Sequence, residues 1–315
     1  GNILVGARRD DPGGVTDAGS AYLFDGATGA LLLTIPNPAP VAYDQFGISV
    51  AGVGGNILVG AHQDDPGGVM EAGSAYLFDG VTGALLLTIP NPAPVADDSF
   101  GSTVAGVGGN ILVAAYADDP GGVTDAGSAY LFDGATGALL LTIPNPTPAT
   151  SESFGSTVAG FGGNILVGAP NDDPGGVVDA GSAYLFDGAT GALLLTIPNP
   201  APAAGDAFGH SVAGAGANIL VGARRDDPGG VTDAGSAYLF DGATGALLLT
   251  IPNPAPAAGD EFGYPVAGVA GNVLVGAFAD DPGDIIDAGS AYVFCLDQDD
   301  DGVCDGADSC PLQPN

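Results

Sequence analysis

Residues 1–54 read GNILVGARRDDPGGVTDAGSAYLFDGATGALLLTIPNPAPVAYDQFGISVAGVG, and close copies of this stretch fill most of the chain. The pattern starts again at Gly55, Gly109, Gly163, Ala217 and Gly271, so the period is 54 residues throughout. A repeat of this length predicts one supersecondary unit per copy. Each unit buries its apolar face only by packing on its neighbours.

The composition excludes several classes of protein. The chain has 315 residues, of which 55 are Gly and 25 are Pro, and this frequency argues against long helices. Four basic residues, all Arg, face 37 acidic ones, which gives a formal net charge of −33. Such a charge repels nucleic acid and anionic membrane surfaces, and it favours bound cations or a salty environment. No apolar run approaches the roughly 18–20 residues that insertion into a bilayer requires.

Each copy contains four short segments with the pattern of β-strands. In the first copy these are residues 2–7 (NILVGA), 19–25 (GSAYLFD), 30–35 (ALLLTI) and 46–52 (FGISVAG). The apolar run NILVGA is typical of a strand that is buried on both faces. Pro12 and Gly13 fit the centre of a type II turn, DGATG fits a tight hairpin, and PNPAP predicts a stiff extended connector.

Four strands per copy, joined by three short links and one longer one, predict an all-β fold in which each copy forms one antiparallel blade of a β-propeller. The alternative is a solenoid, but its coils usually have about 20–45 residues, fewer than this unit. We therefore expect a propeller domain over residues 1–294 and a separate segment over residues 295–315.

The repeat resembles a known family through three short motifs. Phe46-Gly47, then Val59-Gly60-Ala61, then the run GSAYLF at 73–78 are similar to the FG-GAP repeat of integrin α-subunit heads and of many bacterial surface proteins. The resemblance covers residues 1–294 and implies a β-propeller, which has seven blades in the integrins. Here the first copy lacks its inner strand and the last copy its outer strand. We expect a portion before Gly1 to complete the ring, and six and seven blades both stay open.

Integrin heads carry calcium loops between the FG and GA strands, and this chain departs from that pattern. Its corresponding link, residues 53–56 in the first instance, reads VGGN and contains no carboxylate. We therefore do not expect Ca²⁺ at that place.

The two long links of each copy are expected on one edge of the sheets, because antiparallel strands alternate in direction. We call this edge, formed by the links that follow NILVGA and ALLLTI, the long-link rim. Copies that agree elsewhere differ here, which indicates either a surface that diversifies for binding or exposed positions that drift. All four Arg lie on it and are candidates to hold an acidic or carbohydrate ligand. The rim candidates are Arg8, Arg9, Tyr43, His62, Gln63, Tyr116, Asn171, His210, Arg224, Arg225, Tyr264 and Phe278.

The link after NILVGA carries three carboxylates in most copies, in the pattern DDPGG followed by a further Asp. Oxygen ligands of this kind suit a hard cation such as Ca²⁺. The alternative, which we favour, is that these side chains stabilise turns by accepting hydrogen bonds from neighbouring backbone N–H groups. The candidate ligands are Asp10, Asp11, Asp17, Asp118, Asp119, Asp125, Asp172, Asp173 and Asp179.

Residues 295–315, CLDQDDDGVCDGADSCPLQPN, have a different composition from the repeats. The spacing of their carboxylates matches an EF-hand calcium loop, with Gly302 at position 6 and Asp in place of the bidentate Glu at position 12. The predicted Ca²⁺ ligands are Asp297, Asp299, Asp301, the carbonyl of Val303, Asp305 and Asp308. The alternative is a disordered acidic tail.

Together with Cys310-Pro311 and Asn315, this segment resembles a thrombospondin type 3 repeat. The resemblance implies calcium loops, disulfides and an extracellular setting. Cys304 and Cys310 are one candidate pair, which leaves Cys295 with a partner beyond Asn315, and the pairing stays open.

Few side chains in the repeats are suited to catalysis. His62 and His210 are the only histidines, they lie in different copies, and the repeats contain no Cys, so neither a Ser-His-Asp set nor a zinc set can be assembled. We therefore expect a secreted or surface-displayed adhesion or scaffolding module that is not an enzyme. It would bind a protein or glycan on the long-link rim and carry a calcium-stiffened stalk, with further domains on both sides.

The alternative is a propeller domain within a larger secreted enzyme, either a hydrolase or a quinoprotein dehydrogenase. DGATGALLLTI resembles the repeats of quinoprotein dehydrogenases, but the blades of those enzymes depend on Trp, and this chain has none.

Overall fold

The computed structural model describes residues 1–269 and 271–295, and the strands predicted from the repeat are present in this part of the chain. Successive strands pair in chain order to form antiparallel sheets. The first sheet contains β1 (Ile3–Ala7), β2 (Ser20–Phe24) and β3 (Leu31–Pro36). The second contains β4 (Ser49–Val53), β5 (Asn56–Ala61), β6 (Ser74–Phe78) and β7 (Leu85–Pro90). The third contains β8 (Thr103–Val107), β9 (Asn110–Ala115), β10 (Ser128–Phe132) and β11 (Leu139–Pro144).

The remaining sheets repeat this arrangement. The fourth contains β12 (Thr157–Phe161), β13 (Asn164–Ala169), β14 (Ser182–Phe186) and β15 (Leu193–Pro198). The fifth contains β16 (Phe208–Ala215), β17 (Asn218–Ala223), β18 (Ser236–Asp241) and β19 (Leu247–Pro252). The sixth contains β20 (Phe262–Val269), β21 (Asn272–Ala277) and β22 (Ser290–Cys295). The prediction of an all-β chain built from antiparallel propeller blades is confirmed.

Contacts between residues group the chain into two compact units. One comprises Gly1–Ile165 and Asp187–Ala192, and the other comprises Leu166–Phe186 and the chain from Leu193 onward. In the first unit one apolar cluster is built around Phe100, with Leu77, Ile89 and Tyr130. In the second unit a cluster of the same kind surrounds Phe262. The repeat therefore rebuilds the same core in both units.

The two central strands of each four-stranded sheet are the most deeply buried elements. In β5 every residue after Asn56 is buried, which confirms that NILVGA is covered on both faces. The outer strands differ, because β7 is an edge strand on which only Ile89 is fully covered. Leu85 and Leu86 stay exposed there, and the same pattern recurs on β3, β11 and β15.

The predicted turns are also present. Gly13 has left-handed backbone angles (φ 66°, ψ 12°), and the N–H of Gly14 donates to the carbonyl of Asp11 at 3.0 Å, as the predicted type II turn requires. The region is assigned as a three-residue 3₁₀ turn, Pro12–Gly14. Within the described ranges no helix is long or apolar enough to cross a membrane.

A Phe-Gly pair joins successive sheets. The Phe100 side chain is fully buried in a cluster with Leu77 and Ile89 of the second sheet, and its ring lies 5.8 Å from the Tyr130 ring and 6.1 Å from the Phe132 ring of the third sheet, between centroids. Its backbone N–H donates to the carbonyl of Ala72, in the link that precedes β6 of the second sheet, at 3.2 Å. We call the Ala-Gly pair that accepts this segment the FG seat. In each copy it directly precedes the strand SAYLF, as residues 72–73 precede β6. The seats are residues 18–19, 72–73, 126–127, 180–181 and 234–235, occupied by Phe46, Phe100, Phe154, Phe208 and Phe262.

The third copy is an exception that shows how tight this packing is. In the second copy, a methyl group on Gly60 would lie 2.0 Å from the carbonyl oxygen of Gly101. The third copy has Ala114 at the same repeat position, and Gly155, which faces it, is displaced from its seat. A methyl on Gly155 would lie 3.0 Å from the carbonyl oxygen of Ser128, whereas a methyl on Gly101 would lie 2.4 Å from that of Ser74. The parallel bridge made by Phe100 in the second copy's seat does not form here.

Candidate functional site

The two long links of a copy lie side by side. The N–H of Tyr43 donates to the carbonyl of Thr16 at 2.9 Å, and the N–H of Gln45 donates to that of Asp17 at 3.0 Å. These bonds place both links on one edge of the sheets, as the alternation of strand direction predicts.

The aspartates of the DDPGG links accept hydrogen bonds from the protein itself. The Tyr22 hydroxyl donates to Asp10 Oδ2 at 2.6 Å, and the N–H of Asp17 donates to Asp11 Oδ1 at 2.7 Å. The bond from Tyr22 is the main reason why the pKa of Asp10 is lowered. The pattern recurs in the other predicted sites, with Tyr130 on Asp118, Asp125 on Asp119, Tyr184 on Asp172 and Asp179 on Asp173.

The bonds that Asp11, Asp119 and Asp173 accept from backbone N–H groups are of the kind that the turn-stabilising interpretation predicts, whereas the bonds from the tyrosine hydroxyls were not predicted. Within the described ranges, no group of three or more His, Cys, Asp or Glu side chains is placed to hold a metal ion. Ca²⁺ at the DDPGG links therefore stays a prediction. The calcium loop predicted at Asp297, Asp299, Asp301, Val303, Asp305 and Asp308 lies outside the described residues. Cys295 at the end of β22 is disulfide-bonded, and Cys304 and Cys310 lie outside the described residues.

Sequence reasoning missed a buried carboxylate two residues before each Phe-Gly pair. Asp98 is only 1% exposed, and its Oδ2 accepts bonds from Asn91 Nδ2 at 2.8 Å and from the N–H of Val95 at 2.7 Å. Burial, with repulsion from Asp118, raises the pKa of Asp98 to about 6, although the bond from Val95 opposes the shift. The same position is acidic in every such copy, at Asp44, Asp98, Glu152, Asp206 and Asp260. An acidic residue recurs seven residues after the Asn of PNP, and this recurrence is the sequence signal that could have revealed the buried carboxylate.

We predict that Asp98→Asn is more stable than the wild type at pH 7 and that this advantage shrinks on acidification. The ordinary pKa of 3.8 rises to about 6 on folding, so the stability that protonated Asp98 provides is complete below pH 4 and is lost as the pH rises through 6. The amide that Asp98→Asn introduces does not ionise, so the variant does not lose this stability as the pH rises. The measurement is the difference in melting temperature between variant and wild type from pH 4 to pH 7. The titrations of His62 and His210 affect both proteins equally, so they cancel in the difference in melting temperature. A difference that does not change with pH would contradict the shift.

Five side chains of the long-link rim form one cluster in the second unit. The His210 ring stands perpendicular to the Tyr264 ring at 4.6 Å between centroids, and Tyr264 lies 5.9 Å from the Phe278 ring. The Arg224 guanidinium lies over Tyr264 at 5.9 Å, and its Nη1 donates to Glu261 Oε2 at 3.0 Å. We call these five residues the aromatic–arginine patch. Four of them were predicted as rim candidates, and Glu261 was not.

The patch leaves polar atoms without partners and keeps its histidine neutral. Among the described residues, His210 Nδ1 and Arg224 Nε are buried and accept or donate no hydrogen bond. Burial and the neighbouring Arg224 and Arg225 lower the pKa of His210 to about 4. Phe278, by contrast, is 62% exposed. The patch therefore combines an uncharged imidazole, exposed aromatic surface and one guanidinium that is paired with a carboxylate.

The other rim candidates lie outside the aromatic–arginine patch. Burial, aided by the positive charge of Arg8, lowers the pKa of His62 to about 4. Gln45 donates to the side-chain oxygen of Gln63. Arg9 and Tyr43 are exposed, and Tyr116 and Asn171 are partly buried on their own links.

The sheets and their connections define a protein of the β-propeller class. The chain belongs to the FG-GAP repeat family, whose pattern matches residues 40–78, 94–132, 147–186, 201–240 and 255–294, together more than half of its length. No curated protein matches the chain.

Proposed function

We propose that this chain is a non-catalytic extracellular binding module, and that the aromatic–arginine patch holds a protein or glycan ligand that carries carboxylate groups. The observation that carries the proposal is the convergence of His210, Tyr264, Phe278 and Arg224, which come from different copies of the repeat. They belong to the positions at which otherwise similar copies differ.

The chemistry of the patch suits such a ligand. Aromatic and arginine side chains dominate the energetics of many binding surfaces, because they bury a large apolar area and add directed polar contacts. A guanidinium binds a carboxylate through two parallel hydrogen bonds. Arg225 is exposed beside the patch, where such a group can reach it. The unpartnered nitrogen of His210 offers one further polar contact to a ligand.

Three considerations support a non-catalytic extracellular role. With a pKa of about 4, His210 is neutral at pH 7, so it is a weak base and lacks the imidazolium proton that a general acid would donate. FG-GAP repeats are typical of integrin heads and bacterial surface proteins, and the resemblance of residues 295–315 to a thrombospondin type 3 repeat points the same way. The acidic spacing of that segment supports a stalk stiffened by Ca²⁺.

Binding can be tested with a glycan array that includes uronic and sialic acids, together with a pull-down on extracellular matrix proteins. For any ligand found, Tyr264→Ala and Phe278→Ala are expected to weaken binding by at least about tenfold, as loss of a central aromatic contact does. Val81→Ala is the matched control, because Val81 is 84% exposed in a tight turn of the first unit. No ligand in either assay, or a ligand indifferent to both patch variants, would refute the proposal.

The proposed calcium stalk needs its own measurement on the full chain. Titration with Ca²⁺ is expected to show a site that Asp299→Ala weakens, since this residue occupies the third position of the loop. Identical titrations of the two proteins would rule out the loop assignment.

A further inference from the structure

The tight turns that join each SAYLF strand to the following LLLTIP strand carry an Asp-Gly sequence. They read DGATG, or DGVTG in the second sheet, and they lie on the edge opposite the long-link rim, because neighbouring strands are antiparallel. In the second sheet Asp79 and Gly80 begin the turn from β6 to β7, and Val81 beside them is 84% exposed. The counterparts of Asp79 are Asp25, Asp133, Asp187 and Asp241.

An Asp-Gly bond is open to a rearrangement of the main chain. The backbone nitrogen of Gly attacks the side-chain carboxyl carbon of the preceding Asp, because Gly has no side chain to obstruct the approach. A C–N bond forms, the carboxyl C–OH bond breaks, and the hydroxyl leaves as water with the amide proton. Water then adds to the backbone carbonyl of the resulting succinimide and breaks its bond to the Gly nitrogen. The chain now continues through the side-chain carbon as isoaspartate, and a free α-carboxylate remains.

Packing restricts the second position of this turn to glycine. A methyl group on Gly80 would lie 2.0 Å from the carbonyl oxygen of Gly55, at the turn before β5. The same clash recurs at 1.8–2.0 Å for Gly26, Gly134 and Gly188. The close approach of two backbones therefore excludes the larger residues that would slow the attack on Asp. The reactive dipeptide is a consequence of how the turn packs.

Three hydrogen bonds from within the turn hold the Asp79 carboxylate. Its Oδ1 accepts from the N–H of Val81 at 3.1 Å, from the N–H of Thr82 at 2.7 Å and from the Thr82 hydroxyl at 2.8 Å. These bonds, that of the hydroxyl first, lower the pKa of Asp79. Attack by the Gly nitrogen requires the neutral acid, because an ionised carboxylate has no hydroxyl to lose. The Thr82 hydroxyl therefore stabilises the unreactive form of Asp79.

We propose that the Asp-Gly bonds of these turns are sites of isoaspartate formation, and that the threonine three residues after each Asp controls the rate. Each of these threonine hydroxyls donates to the Oδ1 of its Asp at 2.6–2.8 Å. The threonines are Thr28, Thr82, Thr136, Thr190 and Thr244. The proposal is independent of ligand binding at the aromatic–arginine patch.

The modification acts on the attachment of the outer strand. The turn in the second sheet is closed by the N–H of Asp79, which donates to the carbonyl of Ala84 at 2.8 Å, and by the N–H of Gly83, which donates to that of Asp79 at 2.9 Å. Isoaspartate adds one carbon atom to the main chain between these bonds. It therefore loosens β7, from which the PNPAP connector leads to Phe100 in its FG seat.

The test uses the full chain, in which the turn of the second sheet is distinguished by its mass. Chymotrypsin, which cleaves after Phe and Leu, releases residues 79–85 as DGVTGAL, whereas the other turns of this kind give DGATGAL. After prolonged incubation of the folded protein at neutral pH, chromatography separates the isoaspartyl form of each peptide from the unmodified form. The expected rate is at most about a tenth of that in a synthetic peptide of residues 78–87, because the folded turn fixes the reacting groups away from each other.

Two substitutions isolate the hydroxyl group. Thr82→Val removes it with little change of shape and is expected to raise the rate in the DGVTGAL region at least about threefold, since one of three bonds to the carboxylate is lost. Thr82→Ser keeps the hydroxyl and is expected to keep the wild-type rate. The DGATGAL peptides of the same molecules are the internal control. An unchanged rate in Thr82→Val overturns the proposal, as does equal acceleration by Thr82→Ser, acceleration shared by all the turns, or a folded wild type that reacts as fast as the synthetic peptide.

Discussion

Replacing Gly73 by Ala is expected to lower the free energy of unfolding by about 3 kcal/mol or more, and Gly67→Ala by only about 1–2 kcal/mol. Both residues have left-handed backbone angles, with φ of 80° and 68°, so the conformational cost of a side chain is shared. A methyl on Gly73 would lie 2.0 Å from the carbonyl oxygen of Phe100, whereas one on Gly67 meets nothing within 4 Å. The difference between the variants therefore reports the close approach of two backbones at the FG seat.

Chemical denaturation followed by circular dichroism measures both free energies. Gly67→Ala is the matched control, because it adds the same methyl group to the same copy in the same backbone region. Equal destabilisation by the two variants would mean that the seat is not as tightly packed as described.

Phe100→Ala is expected to destabilise the protein by about 3–5 kcal/mol, the range for removing a buried aromatic side chain. Phe100 is fully buried, and its ring packs at an angle against Tyr130 and edge-on against Phe132. Truncation removes these contacts and leaves a cavity between side chains of the second and third sheets. The change in denaturation midpoint, at constant slope, gives the measurement.

Phe278→Ala is the control for this prediction, because it removes the same group from a position that is 62% exposed. Its expected cost is within about 1 kcal/mol, as for most exposed substitutions. A Phe100→Ala protein as stable as Phe278→Ala would show that the FG pair does not hold successive sheets together.

Much of the fold follows from local patterns in a single copy. Apolar runs indicate the strands NILVGA, GSAYLF and ALLLTI, and turn residues in DGATG and PNPAP indicate where strands end. The third strand of each copy could be placed beside the second, because the tight turn DGATG leaves no other choice. Such inferences need only short-range geometry, and the repeat tests each of them several times over.

Parts of the candidate site depend on side-chain contacts that the strand patterns do not report. Asp98 was not among the predicted site residues, yet it is buried, and Asn91 Nδ2 and the N–H of Val95 donate to its carboxylate. His210 and Tyr264 occupy the same repeat position one period apart, as do Arg224 and Phe278. The 54-residue spacing within each of these pairs is visible in the sequence and could have predicted that the four side chains lie in one cluster. The pairing of Arg224 with Glu261 depends on side-chain geometry and could not have been predicted.

The near-identity of the FG seats has a consequence for how the chain reaches its native state. A Phe-Gly segment that fits one acceptor fits the others almost as well, so a folding chain can pair copies out of order and become kinetically trapped. Ala114 breaks this degeneracy, because its methyl group accepts only a partner backbone that stands slightly farther away. The methyl group of Ala114 thus distinguishes the third copy from the others, whose FG seats otherwise compete for the same Phe-Gly segments.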